Sequence, residues 1–110
     1  MIEVELHINI KFNNRLLLTP ERINLLRKVK QTGSLNAASK EMSMSYQNAW
    51  TTIDEMNKIA PSPLVLKQRG GTGGGGAVIS GYGDLILKEY AAIEQQVEKF
   101  GKKLNTEINL

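Results

Sequence analysis

Residues 34–59 read SLNAASKEMSMSYQNAWTTIDEMNKI, and the fold of the chain turns on how this stretch divides. Ser34 is a helix N-cap residue, and Leu35, Ala38 and Met42 follow it at helical spacing, with small alanines that let a neighbouring helix come close. Ser43 to Ser45 then break the pattern. From about Ser45 to Ile59 a longer helix is expected, with Tyr46, Ala49, Trp50, Ile53 and Met56 on one inward stripe. Pro61 and Pro63 end it. The opposite face shows Gln47, Asn48, Thr51, Glu55 and Lys58, with Ser45 at the first turn. Two helices joined by a three-residue turn, the second longer and polar on its outer side, set the centre of the fold.

Upstream, Thr19-Pro20 reads as N-cap and first helical residue of a helix that buries Ile23, Leu26 and Val29 and stops at Gly33. Before it, residues from Ile2 to Phe12 alternate strictly, placing Ile2, Val4, Leu6, Ile8, Ile10 and Phe12 on one face of a half-buried strand. Asn13 and Asn14, tolerant of left-handed backbone, turn the chain. Downstream, Leu64–Gln68 and Ala77–Ser80 have strand character and are separated by Gly70-Gly71-Thr72-Gly73-Gly74-Gly75-Gly76, a hairpin with a glycine tip. A last helix is expected from about Tyr82 to Leu104. Its Ile86, Tyr90, Ile93, Val97, Phe100 and Leu104 alternate by four and three, a heptad seam that calls for a partner helix and therefore for a homodimer. Gly101 is expected to weaken the final turn.

The 110 residues suffice for one domain, 1–110, but not for a core and a separate ligand domain. The absence of cysteine excludes disulfides, thiolate zinc and cysteine nucleophiles, and suits a reducing compartment. With no basic leader and no long apolar run, the expected location is cytoplasmic, without membrane association. Net charge is +3, yet no carboxylate occurs between Glu55 and Asp84, a window that holds Lys58, Lys67 and Arg69 beside the glycines. Such a basic-edged loop suits approach to phosphates. Gly71 to Gly76 formally matches G-x-G-x-x-G, but the following Ala77-Val78-Ile79-Ser80 reads as a returning strand, so a dinucleotide site is set aside. His7 has no second histidine to work with, and the carboxylates are scattered. No catalytic residue, metal site or cofactor is expected.

Strand, three helices with a tight second turn, glycine-tipped hairpin and long helix together are the order of a winged helix-turn-helix, a mainly helical α+β fold. In that fold the third helix enters the major groove of double-stranded DNA. Asn48 and Gln47 can pair with adenine edges, Ser45 and Thr51 can reach bases or phosphates, and the Tyr46 hydroxyl can reach a phosphate from the helix start, although Tyr46 and Trp50 are primarily expected in the core. Lys67 and Arg69 would neutralise phosphates, with Gly71, Thr72 and Gly73 letting backbone amides close on the sugar-phosphate edge. An ordinary solvated polar face is the plain alternative for the helix.

Ser45-Tyr46-Gln47-Asn48-Ala49-Trp50, continued by Ile53-Asp54-Glu55-Met56-Asn57, resembles the recognition-helix region of the ModE-type molybdate regulators, and GGTGGGGAVIS followed by Gly81-Tyr82-Gly83 is similar to their wing. The resemblance covers nearly the whole chain. It implies a dimeric DNA-binding domain acting in transcription, gripping DNA with helix three and the wing and pairing through the last helix. Full members continue into domains that bind molybdate or tungstate, and the 110 residues contain no such domain. Family members often carry a basic residue where Gln47 stands and another where Thr72 stands. Both are neutral here. The rival reading is a protein-interaction module that pairs with another regulator or with a separate oxyanion-sensing subunit.

Overall fold

A computed structural model describes residues 2–68 and 76–109. Its elements run β1 (Ile10–Phe12), β2 (Arg15–Leu18), α1 (Pro20–Thr32), α2 (Leu35–Glu41), α3 (Tyr46–Ile59), β3 (Val65–Gln68), β4 (Gly76–Ile79) and α4 (Gly81–Glu107). This is the mainly helical winged helix-turn-helix that the sequence pattern anticipates. Each helix begins on a side chain that satisfies an otherwise orphaned amide: the hydroxyls of Thr19, Ser34, Ser45 and Ser80 accept from the amides of Arg22, Ala37, Asn48 and Gly83. Gly33 ends α1 at φ 67°, the left-handed conformation a helix stop requires.

The opening strand differs from expectation. Only Ile10–Phe12 pairs, with β2, across a two-residue turn in which Asn13 and Asn14 have φ of 49° and 64°. Both positive angles match the hairpin turn whose twist suits antiparallel strands. β2 was not foreseen, because Arg15-Leu16-Leu17-Leu18 lacks alternation; Leu17 and Leu18 are both buried. The ladder is short because Thr19-Pro20 turns its partner into a helix. Upstream of Ile10 the chain lies against α4: the Val4 amide donates to Asn105 Oδ1 at 2.6 Å, Asn105 Nδ2 donates to Val4 O at 3.4 Å, and the Tyr90 hydroxyl donates to Ile8 O at 3.0 Å. Val4, Ile8 and Ile10 are half-buried, whereas Ile2, Leu6 and Phe12 stay exposed. One face of the alternation is thus only partly used.

The core forms where α1, α2 and α3 meet, around Ile23, Leu26, Val29, Leu35, Ala38, Ala49, Ile53 and Met56, all without measurable exposure. Burying each large aliphatic side chain contributes about 1.5–3 kcal/mol. Leu64, Val65 and Ala77 extend this core beneath the hairpin of β3 and β4, whose register pairs Val65 with Ile79 and Lys67 with Ala77. An isolated bridge between Ser34 and Gly76 pins β4 to the α1–α2 corner.

α4 runs three residues beyond the expected end, and Gly101 lies inside it. Its 27 residues give a rod about 40 Å long. Of the expected seam, Tyr90 is 2% exposed and is consumed within its own chain, so it cannot serve as a seam residue. The reason is its hydroxyl bond to Ile8 and the guanidinium of Arg27 5.9 Å from its ring. Arg27 in turn donates to both oxygens of Glu94. Ile93 and Phe100 remain exposed, and Ile86, Val97 and Leu104 are half-buried. Among the described residues no helix is long and apolar enough to cross a membrane.

Candidate nucleic-acid interface

The α2–α3 corner sets how α3 is presented. Ser43 occupies φ 54°, and the Met44 amide returns to Ser39 O at 2.8 Å. That reversal stands Ser45 at the N-cap of α3, with its Oγ 3.0 Å from the Asn48 amide. Ala49, Ile53 and Met56 then point inward, leaving Tyr46, Gln47, Asn48 and Thr51 exposed along the first two turns.

Two hydrogen bonds define what this face offers. Thr51 Oγ1 donates to Gln47 O at 3.0 Å and Thr52 Oγ1 donates to Asn48 O at 2.9 Å, so both threonine hydroxyls bond their own helix. Thr51 therefore presents its methyl group and oxygen lone pairs outward, while its proton is engaged. Gln47 and Asn48 supply the amides, each a donor and an acceptor on one plane.

Carboxylates are kept from the start of the helix. Asp54 and Glu55 come in its later turns, and Glu55 is drawn toward α1, where Arg22 Nη2 meets its Oε2 at 2.8 Å. Arg22 is itself held by Leu16 O at 2.7 Å and Leu17 O at 3.1 Å. One acidic charge beside the polar face is thereby neutralised by a side chain fixed in place.

The expected core packing holds for Trp50, which packs against the core at its rim, and is corrected for Tyr46. Tyr46 is 38% exposed and Trp50 is half-buried, because both lie at the border of the inward stripe, on the edge of α3 nearest β3. Their rings meet edge to face, with centroids 6.3 Å apart and an interplanar angle of 86°. Lys67 Nζ stands 4.1 Å from the Trp50 ring centroid. Further along the same edge, Asn57 fixes the wing's base to α3: its Nδ2 donates to Val65 O at 3.0 Å, and its Oδ1 accepts from the Leu64 and Val65 amides at 2.8 and 3.3 Å. The sequence reading missed Asn57. A polar residue one heptad after Trp50, on an otherwise apolar edge, was the available signal.

Ser45, Tyr46, Gln47, Asn48, Thr51 and Lys67 thus converge on one open surface. Arg69, Gly71, Thr72 and Gly73 lie outside the described residues. Two grooves among the described residues lie elsewhere, one between the N-terminal segment and α4 and one beside Leu16, Arg22, Met42 and Met44, and neither is lined by these six residues. A long exposed polar helix beside a basic hairpin suits an extended partner better than a small enclosed one.

Element order, the capped polar third helix and the two-stranded wing place the chain in the winged helix-turn-helix class. Comparison with known proteins narrows this. The chain is 37% identical over 98 residues to the transcriptional regulator ModE of Haemophilus influenzae, covering 89% of this chain and 38% of that protein. It is 35% identical over 98 residues to the DNA-binding transcriptional dual regulator ModE of Escherichia coli, covering 89% and 37%. It is 39% identical over 92 residues to the molybdenum transport protein ModE of Azotobacter vinelandii, covering 84% and 34%. No family model matches. The chain is homologous to the ModE-type regulators over 84–89% of its length, and it spans a little over a third of the length of these relatives.

Proposed function

We propose that this chain is a sequence-specific DNA-binding domain of a transcriptional regulator, acting as a homodimer on genes connected with molybdenum. In this reading α3 lies in the major groove, with Gln47 and Asn48 toward base edges. Ser45, Tyr46 and Thr51 flank them at bases or phosphates, and Lys67, Arg69, Gly71, Thr72 and Gly73 follow the backbone. What supports it above all is the exposed amide pair Gln47–Asn48 at the start of a capped helix, beside a wing cation and away from the helix's carboxylates. The names of the homologous regulators point the same way. Pairing through α4 is supported by Ile93 and Phe100, two large apolar side chains seven residues apart that are 37% and 55% exposed.

Base and phosphate contacts separate in one experiment. Asn48→Ala is expected to weaken a selected site by about 1–3 kcal/mol while changing random duplex much less, because only base edges distinguish sequences. Lys67→Ala is expected to weaken both equally and to reduce the slope of log affinity against log salt by about one unit. Equal loss on both duplexes for Asn48→Ala, with Lys67→Ala altering only the selected site, would reverse the placement of helix and wing. The modest net charge of +3 favours a second reading, a protein-interaction module paired with another regulator or an oxyanion-sensing subunit. Co-purification of a protein partner by a chain that enriches no DNA would establish it.

A further inference from the structure

We propose that Trp50 is a positioning residue for DNA binding: its indole face holds the Lys67 ammonium at the seam between α3 and the wing, in register with the polar face of the helix. The inference rests on the DNA-binding reading above and adds to it a residue that makes no DNA contact of its own.

The argument begins with strand geometry. Side chains in a strand alternate, so Val65 and Lys67 share a face of β3. Val65 is 3% exposed and belongs to the core, while Leu66 on the other face is 48% exposed. Lys67 therefore continues the inward face of β3 past the rim of the core, and the group it meets there is the ring of Trp50. The strand cannot drift from the helix, because Asn57 bonds the backbone of Leu64 and Val65. Two fixed backbones thus bring an aromatic face and an ammonium to 4.1 Å, close enough for electrostatic attraction to the negative face of the ring. Tyr46 meets the same indole edge to face.

Trp50 packs against the core, but at its rim. Ala49 and Ile53 on the adjacent turns are completely buried, whereas Trp50 is only half-buried and spends its ring on a cation. An unrestrained lysine loses much rotamer freedom when it binds a phosphate, and one already held over a ring loses less. With the ammonium over the ring face, Lys67 is exposed and can donate to a phosphate on its solvent side.

A double-mutant cycle tests the proposal, with labelled duplexes of selected and random sequence titrated at several salt concentrations. Lys67→Ala should weaken binding about fivefold and Trp50→Leu about threefold, and the double variant should bind within about twofold of Lys67→Ala, since the indole acts through the lysine. Trp50→Phe keeps a ring and should restore binding to within about twofold of wild type. Thermal melts of each variant identify any loss due to unfolding, for which the phenylalanine variant is the reference. Because Trp50 is the single tryptophan, Lys67→Ala should also change its fluorescence without DNA. Losses that multiply in the double variant, or an unchanged indole emission, would overturn the positioning role while leaving DNA binding intact. A wild-type protein that binds no duplex would overturn the DNA-binding reading and this inference with it.

Discussion

Two glycines open α4, and substituting each by alanine should have opposite effects. Gly81 and Gly83 are the first and third helical residues, and helix propensity alone favours alanine at an interior position by about 0.8–1.0 kcal/mol. At Gly81 an added Cβ meets nothing within 4 Å, so Gly81→Ala should stabilise the protein by about 0.4–1 kcal/mol. At Gly83 the same atom would stand 2.3 Å from Leu64 O and 2.8 Å from Ile79 Cγ2. The carbonyl cannot yield easily, because it already accepts the Ser80 amide at 2.9 Å. Relief needs α4 to move outward by roughly 1 Å, which loosens the bond from the Gly83 amide to Ser80 Oγ and the seat of the helix on β3 and β4. Overpacking of this kind costs about 1–3 kcal/mol. Set against the propensity gain, a net loss of about 2 kcal/mol is expected at the upper end, or roughly 8–16 °C in Tm for a domain near 100 residues. Circular dichroism melts at one fixed protein concentration measure it, since the proposed dimerisation would make Tm depend on concentration. A Gly83→Ala protein stabilised as much as the Gly81→Ala control would refute the close approach of α4 to the wing.

Burial, then the negative charge of Glu94, raises the pKa of Tyr90 above its ordinary value near 10, with Arg27 opposing. The folded state therefore keeps a proton that the unfolded chain releases, so this contribution to stability is complete below about pH 10 and is lost as pH rises through the folded pKa. Tyr90→Phe should cost about 0.5–1.5 kcal/mol at neutral pH, through the lost bond to Ile8 O, and should flatten the alkaline fall of urea midpoints relative to wild type. An equally steep fall would contradict it. Ser43 sits at φ 54°, where a side chain costs roughly 1–2 kcal/mol, so Ser43→Gly should be more stable than Ser43→Ala by about 1 kcal/mol in chemical denaturation. Equal midpoints would remove the strain argument. Ile93→Asp with Phe100→Asp should yield a folded monomer by light scattering, because both side chains are exposed on α4 and the core does not use them. An unchanged dimer would exclude this face.

The parts of the fold legible in the sequence are those governed by local chemistry. Thr19-Pro20, Ser34, Ser45 and Gly33 mark helix ends through hydrogen bonds made within a few residues, and all four are observed in those roles. What escaped was decided by distant partners. The alternation of Ile2 to Phe12 is genuine, but a strand needs a partner along its length, and Thr19-Pro20 withdraws β2 after four residues. Tyr90 fitted the heptad seam equally well as a partner-facing residue. A backbone carbonyl 82 positions away, Ile8 O, claimed its hydroxyl instead. Spacing alone places Trp50 against the core, where it does pack. Its place at the rim depends on where β3 passes, which no periodicity in α3 encodes. Of the proposed contact residues, those on α3 were readable because helix geometry fixes which side chains share a face.

The unforeseen contacts share a physical consequence, which is that the surfaces proposed to meet DNA and a second subunit are tied together through a connected set of contacts. Asn57 bonds α3 to the base of the wing, the Leu64 carbonyl bonds the Ser80 amide and lies under Gly83, and Arg27 bonds α1 to Glu94 of α4. Each link joins backbone or charged groups at defined geometry. The Asn57 and Leu64 links engage backbone groups, whereas the Arg27–Glu94 pair is partly exposed and contributes less. A dimer formed through α4 would therefore fix the distance between its two α3 helices by the angle at which α4 leaves the wing. Half-site spacing on DNA follows from that distance. Loosening the Gly83 seat should then weaken binding to a two-half-site duplex more than to a single half-site, even where each domain remains folded. Exposed loops between the domain and its dimer helix would have allowed many spacings; the direct passage from Ile79 through Ser80 into α4 admits few.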